Sequence, residues 1–282
     1  MNTTKKYLKK LIKIIKKPEM KVLPGHLSFF LVLSLIPIIT IVGYVASLFN
    51  VSVDTVVNMM NVSLPNEVNN LLIPFITGSG MDFNIGFSVI VGYFVASNGA
   101  FSIIVCCNTL YKIDHDTYVK RRIKAMFLTI LLVVLFVFTL FVLAFGNSIL
   151  KFVLSFSIFT NISDKIYFVF LLLKWPLAVI FVFFMIKLIF TIAPDKNIRS
   201  KHTTKGAMFT SVAWLFSTFI YSYYVLNFSN YDIFYGSLSN IIIMMMWIYI
   251  LSYSFVIGIA INVNSYNNEI VNKNSEIDNN NY

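Results

Sequence analysis

Carboxylates are scarce in this chain, and they are missing where membrane chemistry would need them. None of its 12 Asp and Glu residues falls within any of its long apolar stretches, so a proton relay through buried acids has no carrier. Histidine is sparser still: His26, His115 and His202 are scattered, without HxH or HExxH spacing, which predicts no metal site. Asp114-His115-Asp116 is the tightest group of potential ligands, and in a basic loop it reads as tempering local charge. Cys106 and Cys107 are adjacent, where neither a structural disulfide nor a four-ligand zinc site is expected, and they read as small apolar residues. There is no glycine-rich phosphate loop and no GxSxG. These absences predict no catalytic residue, no cofactor and no enzyme activity.

What the chain has instead is apolar length. It is 58% hydrophobic and 12% charged, with 28 Phe, too apolar for a soluble domain. Blocks of roughly 20 apolar residues, read as bilayer-spanning helices, fall at 27–49, 84–106, 126–147, 167–192, 206–227 and 236–262. Lysine and arginine then sort the gaps. The N-terminal segment, the second gap (Lys112, Lys120, Arg121, Arg122, Lys124) and the fourth (Lys196, Arg199, Lys201, Lys205) are basic, whereas the first and fifth gaps have none and the third only Lys151 and Lys165. The asymmetry predicts an all-α integral membrane protein with six transmembrane helices and both termini cytoplasmic, in the plasma or inner membrane. The net charge of +10 follows from that orientation and from anionic headgroups at the cytoplasmic face, with no nucleic acid needed.

The flanks carry patterns of their own. Leu8, Leu11, Ile12 and Ile15 share one face while lysines take the other positions, predicting a basic amphipathic segment over 1–24 whose helix lies on the inner leaflet until Pro18, with no cleavable signal. In the first outer loop, Val53, Val56, Val57 and Met60, then Val68, Leu71, Leu72 and Phe75, predict two short amphipathic helices around the break at Pro65-Asn66. The membrane domain is expected over 25–264, followed by an Asn-rich tail at 265–282 with little to pack, read as a disordered cytoplasmic tail.

Within the spans, polar residues mark the packing faces. Ser88, Gly92, Ala96 and Ala100 form a small-residue ridge, interrupted beside it by Ser97, Asn98 and Gly99. Thr203, Thr210, Ser217 and Tyr224 recur every seven residues with Ala207, Trp214 and Tyr221 between them, and Ser254, Gly258 and Asn262 stripe the last helix. These seams face protein or water, as glue between helices or as the lining of a substrate path. Lys174, directly before Trp175-Pro176, sits about two turns inside the fourth span. It either snorkels to the outer headgroups or meets an anion in a path, with Pro176 freeing a backbone carbonyl. Pro37, beside Ser34, makes a comparable break in the first span.

Leu27 to Pro37 resembles the first-helix A-x-x-Y-Y-x-x-x-S-x-x-P signature of the YihY/virulence factor BrkB family, once called ribonuclease BN. Ala96-Ser97-Asn98-Gly99 through Asn108-Thr109-Leu110-Tyr111 is similar to its S-x-G…N-x-x-Y pattern, Lys174-Trp175-Pro176 to its basic-W-P element, and Ala193-Pro194-Asp195 to its L-P-[ND]. Gly206-Ala207 with Trp214, then Tyr235-Gly236-Ser237-Leu238 and Trp247-Ile248-Tyr249, resemble G-A…W…Y-G-S-L…W-x-Y. Two departures stand out. Ala260 occupies the place of the glutamate in the family's closing G-A-E-[LFI]-N, and Phe29-Phe30 replace its paired tyrosines. The resemblance implies a multi-pass membrane protein that is transporter-like or lipid- and envelope-related. The alternatives are a non-transporting scaffold for a cell-envelope protein and, least in keeping with the residues, a ribonuclease. The candidate path or packing residues are Lys174, Pro176, Pro37, Asn98, Thr210, Trp214, Ser217, Tyr221, Tyr235, Gly236, Trp247 and Asn262.

Overall fold

A computed structural model describes residues 9, 12–48, 54, 57–58, 73, 85–113, 117–134, 163–227 and 239–280. Among them the secondary structure is helical throughout. Six long helices follow one another: α1 (Glu19–Leu48), α2 (Ile85–Tyr111), α3 (118–134), α4 (Ser163–Ile192), α5 (Ser200–Asn227) and α6 (Ser239–Asn280). A shorter turn of helix at 12–15 ends around Lys16–Pro18, as the proline predicts, before α1 begins. There Ile14, one position off the expected apolar stripe, packs on the core while Ile12 stays exposed. Leu8 and Leu11 lie outside the described residues, as do 49–84 apart from isolated helical positions.

Every long helix contributes to one large core, beside which Tyr221, Ile243 and Trp247 form a smaller cluster between α5 and α6. Leu27 of α1, Ile104 and Cys107 of α2, Leu128 of α3, Phe190 of α4, Ala207 of α5 and Val256 of α6 belong to the same buried cluster. Both cysteines serve as small apolar residues there. α1 packs along α2, α6 along both α5 and α1, and α4 along α5. The ridge on α2 is a contact with α1: Ala96 and Ala100 are buried, and Gly92 and Gly99 face Pro37 and Ser34.

The outside is apolar as well. α5 alone exposes Met208, Val212, Leu215, Phe216 and Phe219, and α2, α3 and α4 carry similar strips. Water tolerates no such continuous surface, whereas hydrocarbon requires it. Among the described residues three helical stretches are long and apolar enough to cross a membrane: Glu19–Ile39, Ile90–Tyr111 and Ile241–Asn268, with Val179–Ile192 a shorter apolar one.

Several helices extend beyond the expected spans, and two of these extensions bear on the packing. α1 starts eight residues before the expected span at 27, with Pro24 and Pro37 both inside a continuous helix; Ser34 Oγ donates to the Leu31 carbonyl just ahead of Pro37, at 2.8 Å. The region expected to be a disordered tail after 264 instead continues α6 to Asn280. At the start of this stretch the Tyr266 ring meets those of Tyr111 and His202 at 5.9 and 5.7 Å, an aromatic anchor just past the apolar run.

Candidate functional site

The polar positions of α5 and α6 meet in a single antiparallel seam. Gly206 N–H donates to Asn262 Oδ1 at 2.8 Å. A Cβ on Gly206 would strike the Gly258 carbonyl oxygen, and one on Gly258 would strike Thr210 Oγ1, so the two backbones touch with no room for a side chain. Further along, Trp214 Nε1 donates to the Leu251 carbonyl at 2.9 Å, and Tyr221 stacks on Trp247 with ring centroids 5.2 Å apart. Each step along α5 is matched by a step back along α6. On the other flank of α5, Thr203 Oγ1 meets Thr191 Oγ1 of α4 at 3.0 Å. The seam is not saturated: Thr210 Oγ1, Asn262 Nδ2 and Trp247 Nε1 are buried without an acceptor or donor.

A second polar cluster gathers at the end of the bundle where α2 stops. Lys112 adopts a left-handed φ of 55°, and Ile113 N–H and Lys112 N–H return to the carbonyls of Asn108 and Thr109 at 3.0 and 3.3 Å. This is a Schellman-type termination made without glycine. It holds Asn108, fully buried, so that its amide grips Asp195 of the α4–α5 linker from two sides: Oδ1 accepts the Asp195 N–H at 2.9 Å and Nδ2 donates to the carboxylate. Lys124 of α3 closes the group, donating to Asp195 Oδ1 at 2.8 Å and to the Pro194 carbonyl at 2.6 Å. The Asp195 side chain is 4% exposed and that of Lys124 25%. Both carboxylate oxygens are engaged, so the cluster is a clasp joining α2, α3 and the linker, with no free group for acid or base work.

The sequence-predicted residues thus separate. Thr210, Trp214, Tyr221, Trp247 and Asn262 come together on the seam, while Ser217 lies half-buried on α5. Asn98 turns to α3, accepting from Arg122 Nη1 at 2.7 Å, and Pro37 lies against Gly92 in the α1–α2 contact. Lys174 is on α4 with its side chain outside those described, and Pro176 is exposed. Tyr235, Gly236 and Asp114-His115-Asp116 lie outside the described residues. Sequence reasoning missed the clasp. Asn108 and Asp195 stood in recognisable motifs, but they are 87 positions apart, and Lys124 read as a topology charge. Arg122 was read the same way, although it is buried.

An apolar exterior around a bundle whose polar groups face inward defines an integral membrane protein. The sequence pattern of the virulence factor BrkB family matches residues 11–280, and the chain belongs to that family. It is 26% identical to the putative ribonuclease-like protein YfkH of Bacillus subtilis strain 168 over 84% of its own length and 87% of that protein's. It is 27% identical to a UPF0761 membrane protein of Aggregatibacter aphrophilus, covering 83% and 82% of the two chains. A UPF0761 membrane protein of Haemophilus influenzae strain 86-028NP shares 31% identity across 25% of this chain. No solved structure matches.

Proposed function

We propose that this is a six-span, transporter-like or lipid-handling protein of the cell membrane, with both termini cytoplasmic, and not an enzyme. The observation that carries the reading is the under-satisfied seam. A buried polar group without a partner costs about 1–3 kcal/mol, and Thr210, Asn262 and Trp247 each hold one such atom along one interface. A resting state with that deficit gains when a water, a polar solute or a headgroup reaches these atoms. The ribonuclease wording attached to the Bacillus relative finds little in the sequence to carry it: His26, His115 and His202 stand far apart, without HxH or HExxH spacing. The basic second and fourth gaps support the orientation.

Reconstitution tests the activity. Liposomes holding the purified protein should exchange labelled phosphatidylglycerol between leaflets faster than protein-free liposomes. Lys174→Met should abolish the exchange, with Lys174→Arg retaining part. A folded protein that moves no lipid or solute would leave the scaffold reading. Single cysteines introduced at Ser163 and Ser229 should react with an impermeant thiol reagent outside intact cells and one at Thr117 should not; both native cysteines are buried, so background is low. Labelling at Thr117 would sink the six-span topology.

A further inference from the structure

We propose that the start of α3 is a phosphate site, in which the Arg122 guanidinium and the first turn of the helix bind the headgroup phosphate of an anionic phospholipid. The proposal rests on the membrane embedding above but not on transport. Lys120, Arg121 and Arg122 stand consecutively in the opening turns of α3, where the helix already presents the positive end of its dipole and N–H groups without intrahelical acceptors. An anion placed at that end is favoured by the dipole and by those N–H groups.

Arg122 supplies the independent observation. It is 7% exposed, yet everything it touches is neutral. Nη1 donates to Asn98 Oδ1 at 2.7 Å and Nη2 to the Phe94 carbonyl at 2.6 Å, with the Phe94 ring centroid 3.7 Å from Cζ. Nε has no acceptor, and among the described residues no carboxylate pairs with the guanidinium. A buried charge in that state is costly unless an anion joins it, and a phosphate accepts from Nε and an outer Nη hydrogen together. Arg121 rests beside it over Phe101, 5.6 Å from the ring centroid. The surroundings select the source of the phosphate. Ile90, Val91 and Phe94 on α2, and Val119, Ile123 and Phe127 on α3, form exposed apolar strips to either side. A free phosphate has no use for them, whereas acyl chains do.

The test is binding to delipidated protein in non-ionic detergent. Phosphatidylglycerol should raise the melting temperature by a few degrees, and inorganic phosphate at matched ionic strength should not. Arg122→Gln should lose the shift and Arg122→Lys should keep part of it. In parallel, wild-type protein crosslinked to phosphatidylglycerol bearing a photoreactive headgroup should be tagged within 90–98 or 117–126, a readout that stands even where Arg122→Gln fails to fold. The proposal is overturned by a full shift in folded Arg122→Gln, by inorganic phosphate alone reproducing the shift, or by tags that map elsewhere. Absence of lipid exchange in liposomes would sink the transport reading and leave this site standing.

Discussion

The α5–α6 seam and the clasp at the end of α2 hold neighbouring parts of one bundle together by opposite means. The seam works by subtraction: glycine against glycine removes side chains until backbones touch, and the remaining polar groups are neutral and partly unpaired. The clasp works by addition: an ammonium, a carboxylate and an amide converge from three segments and saturate one another. Close backbone packing serves inside hydrocarbon, where helices gain little from the hydrophobic effect. A charge pair belongs at the partly wet end of the bundle, where Lys124 keeps contact with solvent. The difference leaves the seam with unpaired polar atoms and the clasp with both carboxylate oxygens engaged.

The sharpest way to break that contrast is Gly206→Ala. Its new methyl meets a backbone carbonyl, which cannot rotate aside, so α5 must separate from α6. We expect a loss of about 3 kcal/mol or more, read as a large fall in melting temperature in detergent or a failure to fold. Gly25→Ala, with nothing within 4 Å of its Cβ, should leave the melting temperature nearly unchanged. Equal behaviour of the two would mean that the helices are not in backbone contact.

Breaking the clasp should cost less, and asymmetrically. Lys124→Met leaves a buried Asp195 carboxylate with only the Asn108 amide beside it, whereas Asp195→Asn leaves a lysine that can turn to water. Partial exposure of Lys124 lowers the expected losses to about 2 kcal/mol for Lys124→Met and about 1 kcal/mol for Asp195→Asn. The double variant should fall by less than the sum. Chemical denaturation in mixed micelles measures all three, and a reversed order would show that Asp195 reaches solvent.

How far these features were legible in the sequence follows from what each depends on. The apolar runs and much of the α5 seam could be read because helical periodicity places Thr210, Trp214 and Tyr221 on one side regardless of what lies opposite, although the same repeat includes Thr203, which turns to α4. The seam's partner face on α6 showed as Ser254, Gly258 and Asn262. The clasp and the Arg122 site depend on tertiary contacts between segments tens of residues apart, and a lysine or arginine in a basic loop looks the same whether it marks topology or closes a buried pair. The continuation of α6 past 264 was hidden for a related reason: Asn-rich composition argues against packing, and the contacts of Tyr266 with Tyr111 and His202 are visible only in three dimensions.

The α1–α2 ridge allows a finer test of packing by subtraction. A Cβ on Gly99 would come within 2.6 Å of Ser34 Oγ, whereas one on Gly92 would rest 3.7 Å from Pro37 Cβ, an ordinary contact. Gly99→Ala should therefore cost about 1–2 kcal/mol, moderated because the Ser34 hydroxyl can rotate away from the Leu31 carbonyl. Gly92→Ala should be close to neutral. A melting-temperature series that ranks them the other way would place the tightest α1–α2 approach nearer Pro37.

The smallest expected effect concerns the seam's two tryptophans, and it says most about what the seam is for. Trp214 and Trp247 both face the α5–α6 interface, but Trp214 Nε1 is hydrogen-bonded to Leu251 and Trp247 Nε1 is buried without a partner. Replacing each by phenylalanine removes similar volume and keeps an aromatic ring, at 247 the one stacked on Tyr221. The difference between the variants therefore isolates the N–H. Trp214→Phe loses a net hydrogen bond, while Trp247→Phe loses a desolvated donor, so the first should be less stable than the second by about 1 kcal/mol. If Trp247→Phe costs as much, its indole already has a partner in the membrane-embedded protein, a water or a bound molecule, and the seam is occupied at rest. If Trp247→Phe is nearly neutral for stability but slows lipid or solute exchange in liposomes, the unpaired N–H belongs to a path and not to the glue between helices.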